Sequence, residues 1–425
     1  MSPPDSHHPL SSSRERATLV TLAAVQFTHI LDFMIIMPLG AQLMTVFQIS
    51  PSQFTHLVAA YGFSAAVSGF AGGFILDRFD RKRALIVLYA GFGLATLGCA
   101  LAPSHHAFLL ARIAAGAFGG LAGSLVNAMV GDIIPPARRG RAMGLVMVSF
   151  PVASVVGVPL GLVLAAKLGW HAAFAFLFLC AVGVLAVAAA ALPHLSTAQR
   201  DHQPLRQMRG ILTPTVHQRA LALGAVLVMA GGLVIPFIAP SLVANVGLNE
   251  ESELPLTYVI GGLATVVSTP VVGWLSDRID RLKLLAYLSA FAVIVVLAIT
   301  HLGPASVTVA SVMMALFMVT MSGRFAPAMT MITNAVESRY RGGFMSVNAA
   351  LQQASSATAN LVAGWYITRT PDGRLLGLPL LGYIAIGFFC LTVLLAAELR
   401  AVTPTPPSAT TSVPPPDAAR GRSAE

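Results

Sequence analysis

Residues 73–81 read GFILDRFDR, and residues 273–281 read GWLSDRIDR. A second pair of similar stretches, RGRAM at 139–143 and RGGFM at 341–345, recurs at nearly the same separation. Each of these polar stretches lies between long apolar runs. The chain is therefore predicted to contain two copies of one unit, in the same orientation, and parallel repeats of this kind place a binding site at the interface between the two halves.

The composition indicates a membrane protein. The chain has 425 residues, of which 56% are hydrophobic and 10% charged, whereas soluble domains carry about 25% charged residues. This difference argues against soluble enzymes, nucleic-acid readers and disulfide scaffolds. Three cysteines lie far apart inside apolar runs, without the spacing of a metal site, and are predicted to be buried free thiols: Cys99, Cys180 and Cys390.

A helix needs roughly 20 apolar residues to cross a bilayer, and the chain contains twelve such runs. We predict an all-α membrane protein with two six-helix bundles at 17–193 and 218–399, a cytoplasmic linker at 194–217 and disordered tails at 1–16 and 400–425. No cleavable signal peptide is expected. The predicted spans are 18–47, 54–76, 84–102, 106–134, 140–166, 172–192, 219–246, 256–276, 284–300, 305–336, 342–367 and 377–397.

The basic residues predict the topology. Most of the 26 Lys and Arg residues fall in segments on one side, the other side receives Lys167, Arg369 and Arg374, and Arg112 and Arg324 lie inside spans. Positive charge accumulates on the cytoplasmic side, so both termini are expected there. The net charge of +9 is thus explained by topology, and no nucleic-acid partner is expected.

Residues 73–83 resemble the loop signature of the major facilitator superfamily, and the duplicated six-helix layout fits that family over nearly the whole chain. Two further motifs resemble its proton-coupled drug and metabolite exporters. Arg112, Gly116, Gly119 and Gly120 are similar to the fourth-helix signature, and residues 157–161 (GVPLG) to the antiporter signature of helix five. Asp80, where the loop pattern has Gly, and Val158, between Gly157 and Pro159, depart from these patterns.

The repeated loop carries a predicted cytoplasmic gate. Asp77 falls at the carboxyl end of helix two, where the helix dipole disfavours an acid, and the free N–H groups at the start of helix eleven would compensate it. Arg81 is expected to pair with Asp132; the resemblance implies both contacts, and solvated topology charges are the alternative. The gate set is Gly73, Asp77, Arg78, Arg81, Asp132 and Gly342, with a weaker copy at Gly273, Asp277, Arg278 and Arg281.

Charges inside a membrane are costly and usually functional. Asp32 is the one acid well inside a span, and Arg112 is its predicted partner. A carboxylate that alternates between an arginine and an apolar setting can load and release a proton, so this pair is the predicted coupling site. A static ion pair is the alternative. His29 shares a helix face with Asp32 and is a candidate proton relay or a simple hydrogen-bonding residue.

Arg324 interrupts helix ten near Pro327 and has no counterpart in the first repeat. Either it neutralises an anionic or strongly polar substrate group, or it binds carbonyls freed by the proline kink. The remaining candidates for substrate contacts are chosen by placement alone, and they are Gln26, Asn127, Asn348, Gln352, Gln353 and Asn360.

Gly157, Pro159 and Gly161 form a predicted hinge in helix five. No Gly-Lys pair is present, so a phosphate-binding loop is excluded, and neither a catalytic constellation, a cofactor nor a metal is expected. We predict a monomeric proton-coupled antiporter of the bacterial inner membrane that exports a small drug or metabolite, with multidrug resistance as a possible outcome. The alternatives are a proton symporter or facilitator that imports a metabolite, and a transporter-like receptor or scaffold.

Overall fold

The computed structural model describes residues 12–76, 79–135, 138–193, 204–337 and 339–402. Helices dominate this part of the chain, and two short strands form an antiparallel pair, β1 (Thr368–Arg369) and β2 (Leu375–Leu376). The helices are α1 (Ser12–Ile35), α2 (Gly40–Val46), α3 (Pro51–Ile75), α4 (Arg81–Ala100), α5 (His105–Ile133), α6 (Arg139–Met147), α7 (Ser149–Val152), α8 (Val158–Leu168), α9 (Trp170–Ala191), α10 (Pro204–Leu212), α11 (Thr215–Ser241), α12 (Glu253–Arg278), α13 (Arg281–Thr300), α14 (Val307–Gly323), α15 (Phe325–Asn334), α16 (Arg341–Tyr366) and α17 (Leu378–Val402).

Within the described residues, 11 helical segments are long and apolar enough to cross a membrane. The remaining long helix, α16, has 26 residues, which at about 1.5 Å per residue is also sufficient. Its polar side chains, among them Asn348, Gln352 and Gln353, lower its hydropathy. These polar residues are tolerated because α16 packs between α3 of the first half and α11 of the second half.

Three predicted spans are interrupted. The first consists of α1 and α2, which are separated by a turn that contains Pro38. The fifth has a π-helical turn, Ala153–Gly157, just before Pro159. The tenth is broken at Arg324, and Pro327 lacks the N–H that would bond the carbonyl of Gly323. Each break therefore coincides with a proline that removes a donor from the helix.

The repeat is visible in how two helices begin. Asp80 caps α4 by accepting a hydrogen bond of 2.9 Å from the Arg83 amide. Asp280 caps α13 in the same way, with 3.1 Å to the Lys283 amide. Such caps satisfy otherwise unpaired N–H groups at a helix start. The aspartate that departs from the family pattern at position 80 thus has a structural function in both repeats.

Some expected boundaries were wrong by a few residues. Residues 12–16 belong to α1 and α17 continues to Val402, so the expected tails are shorter; the rest of them lies outside the described residues. The expected linker contains α10. Cys99 is buried, but Cys180 is half-buried and Cys390 is exposed, because some apolar positions of a membrane helix face lipid rather than protein.

The side on which α1 begins is termed the terminal face, and the side of the strand pair is termed the far face. The two halves meet in the part of the molecule nearer the far face. Gly62 of α3 lies against Ala357 of α16, Gly262 of α12 against Val155, and the Phe54 and Phe237 ring centroids are 6.2 Å apart. Along its length α3 also packs on α5 of its own half, and closer to the terminal face it does so through Gly72 and Leu121.

Candidate functional site

Asp32 and Arg112 form a fully buried ion pair between α1 and α5. Arg112 Nη1 donates to Asp32 Oδ2 at 2.8 Å, and both side chains are 0% exposed. The same nitrogen lies 3.2 Å from the backbone carbonyl of Asp32. The contact predicted from the sequence is therefore present.

The pair leaves hydrogen-bonding capacity unused. Asp32 Oδ1 and two guanidinium nitrogens of Arg112, Nε and Nη2, have no hydrogen-bond partner in the structure. The hydroxyl of the neighbouring Thr96 donates to the Phe92 carbonyl at 3.0 Å instead. A bidentate arginine–carboxylate pair would use both carboxylate oxygens. The single hydrogen bond leaves Oδ1 free to receive a proton.

Tyr61 of α3 adjoins this pair. The Arg112 guanidinium lies over the Tyr61 ring, 4.3 Å from its centroid, which is cation–π geometry. The Tyr61 hydroxyl shares a hydrogen bond of 2.7 Å with His29 Nδ1. Tyr61 is 0% exposed, whereas His29 is partly exposed. His29, Tyr61, Arg112 and Asp32 thus form a continuous set of contacts.

Tyr61 was not among the predicted site residues, although its position in the helix indicated a special role. Tyrosines of membrane helices concentrate at the membrane–water interface, and Tyr61 lies in the middle of α3. The glycines of α5 make room for it. A Cβ atom on Gly119 would come within 2.9 Å of the Tyr61 hydroxyl, and one on Gly120 within 2.8 Å of the Ala65 Cα atom. The fourth-helix glycine pattern therefore lets α3 approach α5 closely.

Arg324 is buried in the second half. It is 1% exposed, its guanidinium lies 4.3 Å from the centroid of the Phe389 ring, and Nη2 is 3.4 Å from Met321 Sδ. Nε and Nη1 have no hydrogen-bond partner. Among the described residues, neither an acidic side chain nor a backbone carbonyl pairs with it. The alternative in which it binds carbonyls freed by Pro327 is therefore not seen in this conformation.

The predicted polar contacts do not form one cluster. Asn127 is exposed, Gln26 and Gln353 are partly exposed, and Asn348 and Asn360 are each 1% exposed. Asn348 and Gln352 face Gly224 of α11, and the Gln352 amide lies 3.6 Å from Met329 Sδ. The side-chain oxygens of Gln26, Asn348 and Asn360 are buried without a hydrogen-bond partner, as expected of groups that a ligand or water satisfies.

A profile described as Major Facilitator Superfamily matches residues 22–360. The chain belongs to this superfamily. An uncharacterised MFS-type transporter of Bacillus subtilis is 26% identical over 269 residues, which are 62% of this chain and 67% of the relative. A "probable sugar efflux transporter" of Pasteurella multocida is 23% identical over 268 residues, 61% of this chain and 64% of the relative. The alignments thus cover about two thirds of each relative.

Solved structures of the superfamily share the fold. A bacterial homologue of the human lysosomal transporter Spinster, in an inward-facing and occupied conformation, gives a TM-score of 0.74 at 16% identity, with 92% of this chain and 98% of that chain covered. The crystal structure of a D-xylose-proton symporter gives the same four values. The predicted all-α major facilitator fold is confirmed, and this superfamily member is a multi-pass membrane transporter of small molecules rather than an enzyme.

The structure describes only some of the predicted gate residues of this superfamily member. Arg81 Nε donates to Asp132 Oδ2 at 3.1 Å, and Arg81 Nη1 lies 3.3 Å from the Leu76 carbonyl, so the predicted Arg81–Asp132 contact is present. Asp77 and Arg78 lie outside the described residues, and of Gly73 only its place in α3 is described. Gly342, at the start of α16, is exposed with open space beside its Cα atom.

The second-half copy of the gate differs from the first. Arg278 lies over the Trp274 ring at 4.0 Å, and open space adjoins Gly273. Asp277 and Arg281 have no ion-pair partner in the part of the chain that the structure describes. The repeat places Asn334 where the first half has Asp132, so the acid that pairs with Arg81 has no counterpart.

The predicted hinge packs on α1 beside the ion pair. A Cβ atom on Gly157 would lie 2.7 Å from Leu31 Cδ2, and one on Gly161 would lie 2.6 Å from Ile35 Cδ1. Pro159 stands between them, directly after the π-helical turn. The glycines thus allow α8 to touch α1 next to Asp32.

Proposed function

We propose that this transporter couples proton movement to export of a small amphipathic drug or metabolite across the bacterial cytoplasmic membrane, by alternating access. The fully buried Asp32–Arg112 pair carries the proposal. Burying two charges costs several kcal/mol per ion before their attraction compensates, and intramembrane ion pairs are usually kept for function. The proposed orientation has both termini in the cytoplasm.

Protonation of Asp32 is the proposed coupling step. A proton on the carboxyl group removes its charge and with it most of the attraction to Arg112. The Arg112 guanidinium keeps its contact with the Tyr61 ring, worth about 0.5–2 kcal/mol, so the arginine retains one partner while the pair opens. The helices α1 and α5 then hold each other less strongly than in the charged state.

A chain of contacts leads from this pair to the interface between the halves. Leu31, next to Asp32, rests on Gly157, and Val155 of the same π-helical turn packs against Gly262 of α12. Movement of α1 therefore acts on the segment that touches the second half. For this reason we assign the hinge function to the end of this turn and the start of α8, at Gly157, Pro159 and Gly161.

The loop at the terminal face is the proposed cytoplasmic gate. Arg81 and Asp132 bind the loop to its own half, and Asp77 is proposed to meet the amino end of α16 near Gly342 when the halves close on this side. Breaking that contact would accompany opening. We propose that Gly73 and Arg78 belong to this gate. A second, weaker gate is proposed at Gly273, Asp277, Arg278 and Arg281.

The surroundings of Arg324 support a substrate that carries an anionic or strongly polar group. Inside the membrane-spanning helices that the structure describes, Arg112 and Arg324 are buried against the single buried acid Asp32, so this part of the interior carries an excess positive charge while Asp32 is deprotonated. The unpaired Nε and Nη1 atoms of Arg324 are donors that a carboxylate would satisfy. We propose Gln26, Asn127, Asn348, Gln352, Gln353 and Asn360 as further substrate contacts.

The test is flux into inverted vesicles or proteoliposomes under an imposed pH gradient, with D-xylose, carboxyfluorescein and ethidium as probes. Gradient-driven flux of at least one probe is expected, and Asp32→Asn is expected to abolish the dependence on the gradient. Asp372→Asn, in an exposed loop, is the matched control. Flux that Asp32→Asn leaves unchanged would contradict proton coupling through this pair. Probe flux in the same direction as the protons would identify the symporter alternative, and absence of proton-dependent flux for every probe would support the receptor alternative.

A further inference from the structure

The ion pair lacks direct contact with water, although a coupling carboxylate must exchange protons with it. Asp32, Arg112 and Tyr61 are all 0% exposed. His29 lies three residues before Asp32 on α1, one helical turn away, and its side chain is partly exposed. The ionisable group that joins the buried site to the accessible surface is therefore His29.

His29 has two distinct environments at its two ring nitrogens. Nδ1 bonds to the Tyr61 hydroxyl at 2.7 Å, and the two rings stack with centroids 5.9 Å apart. Nε2 faces the small residue Gly123, where an added Cβ atom would be 3.7 Å away. Both nitrogens thus adjoin the glycine face of α5, Nδ1 at Gly119 and Nε2 at Gly123, and Nδ1 is the one that hydrogen-bonds to the buried site.

We propose that His29 and Tyr61 form the proton path between water and Asp32, with Tyr61 as the proton-transfer group that joins His29 to the Asp32–Arg112 pair. This inference rests on the proposed coupling function. The path starts from the neutral tautomer in which His29 Nδ1 carries the proton and donates to the Tyr61 oxygen. A proton binds His29 Nε2, the Nδ1 proton moves to the Tyr61 oxygen, and the Tyr61 hydroxyl proton moves to Asp32 Oδ1. The sum is one proton transferred from water to the carboxylate. The last transfer needs an intervening water molecule or a change of the Tyr61 χ1 rotamer, because the hydroxyl oxygen lies on the axis about which the ring turns.

Charge favours transfer toward Asp32. A proton on His29 would lie near the Arg112 guanidinium, which is on the same tyrosine ring, and like charges repel strongly where water is excluded. On Asp32 the same proton neutralises an anion. The Oδ1 atom, which has no partner, is the free acceptor.

Two further ionisable side chains lie near this path, Tyr89 and Cys99. Tyr89 of α4 bonds to Thr28 Oγ1 at 2.7 Å rather than to His29. Cys99, also on α4, is a buried thiol near Arg112 and Asp32. Tyr89 is as buried as Tyr61 and hydrogen-bonds to the same helix α1, so it provides a matched control.

A stopped-flow pH jump on the purified protein in detergent tests the proposal without a known substrate. A pH indicator reports proton binding, and because exposed carboxylates and histidines bind protons within the mixing time, the amplitude and the rate that are followed belong to the slower phase of the buried site. Asp32→Asn is expected to remove most of the amplitude. Tyr61→Phe, which keeps the ring under Arg112, is expected to preserve the amplitude and slow the rate at least about tenfold, since a positioned proton-transfer group accelerates transfer by roughly 100-fold or more.

Two further variants complete the test. His29→Gln should slow proton binding to Asp32 as Tyr61→Phe does, and Tyr89→Phe should match the parent protein. Unchanged rates in both Tyr61→Phe and His29→Gln would overturn the path while leaving Asp32 as the coupling group. A lost amplitude in Tyr61→Phe would overturn it too, because Tyr61 would then be needed for the pair itself. An amplitude that survives in Asp32→Asn would instead overturn the proposed function.

Discussion

Arg112 holds three groups with one side chain: the Asp32 carboxylate, the Asp32 carbonyl and the Tyr61 ring. The Asp32 and Arg112 contact was predictable because charges inside apolar spans are rare, and a single acid leaves few possible partners. Tyr61 was not predictable as their neighbour, because its position depends on how closely α3 approaches the glycines of α5. The missing partners of Arg324 were likewise visible only once its surroundings were known.

Replacing Arg112 by Met should destabilise the protein more than replacing both members of the pair. Arg112→Met leaves the Asp32 carboxylate buried without a partner, which costs about 3–5 kcal/mol. The double variant Asp32→Asn with Arg112→Met removes that charge and should recover most of the loss. Unfolding of the purified protein by denaturant in detergent measures this, and Arg374→Met, at an exposed loop position, is the control. Equal losses in the single and double variants would contradict the expected coupling.

Replacing Arg324 by Met should have the opposite effect on stability. The change removes a buried charge that has no acidic partner among the described residues and keeps a side chain of similar length. An increase of about 1–4 kcal/mol in the free energy of unfolding is expected, the range seen when apolar residues of similar volume replace buried ion pairs. Flux of carboxyfluorescein should fall more than flux of ethidium. Equal loss for both probes would rule out recognition of substrate charge by Arg324.

At the scale of elements, the apolar runs predicted twelve spans whose ends agree with the helices within a few residues. The interruptions were less predictable. Pro38 lies inside an apolar run, and the sequence alone does not determine whether the helix bends or a turn forms at this proline. The π-helical turn at Ala153–Gly157 has no sequence signal apart from the proline that follows. The polar residues of α16 become intelligible once this helix is seen between the two halves, where it is shielded from lipid on two sides.

The contact between α3 and α16 provides a test at this scale. Gly62→Val should push α3 away from α16, because an added Cβ atom would lie 2.9 Å from the Ala357 Cβ atom. Opening of the far face is expected. The measurement is labelling of Leu57→Cys, which is 0% exposed, by a membrane-impermeant maleimide in a background without native cysteines. Labelling should rise at least about fivefold, a change of about 1 kcal/mol in the opening equilibrium.

Gly183→Val is the control for this experiment. Gly183 lies on α9 with open space beside it, so its replacement should leave labelling of Leu57→Cys unchanged. If both valine variants label alike, the α3–α16 contact does not hold the far face closed.

At the scale of the whole molecule, the near-constant separation of the repeated stretches predicted two similar halves, and the superfamily fold agrees. Which face is closed was not predictable, because one sequence encodes every state of an alternating-access cycle. The structure closes the far face through contacts of α3 with α16 and of the π-helical turn with α12. The asymmetry between the gates follows from Asn334, which stands where Asp132 would be repeated.

If the halves rock against each other, a covalent link across the far face should stop transport. Thr55 and Gly364 lie on opposite halves, with 3.1 Å between the Thr55 Cβ atom and a Cβ atom placed on Gly364. Disulfides have a Cβ–Cβ separation of about 3.5–4.5 Å, so a small outward shift of one helix brings this pair into range. The pair Thr55→Cys with Gly364→Cys should lose gradient-driven flux on oxidation and recover it on reduction. The control pair, Gly93→Cys with Ala181→Cys, joins α4 and α9 of one half at 3.5 Å and should transport in both redox states. Flux that persists through a complete Thr55–Gly364 cross-link would show that transport does not need the far face to open, and would refute alternating access in this protein.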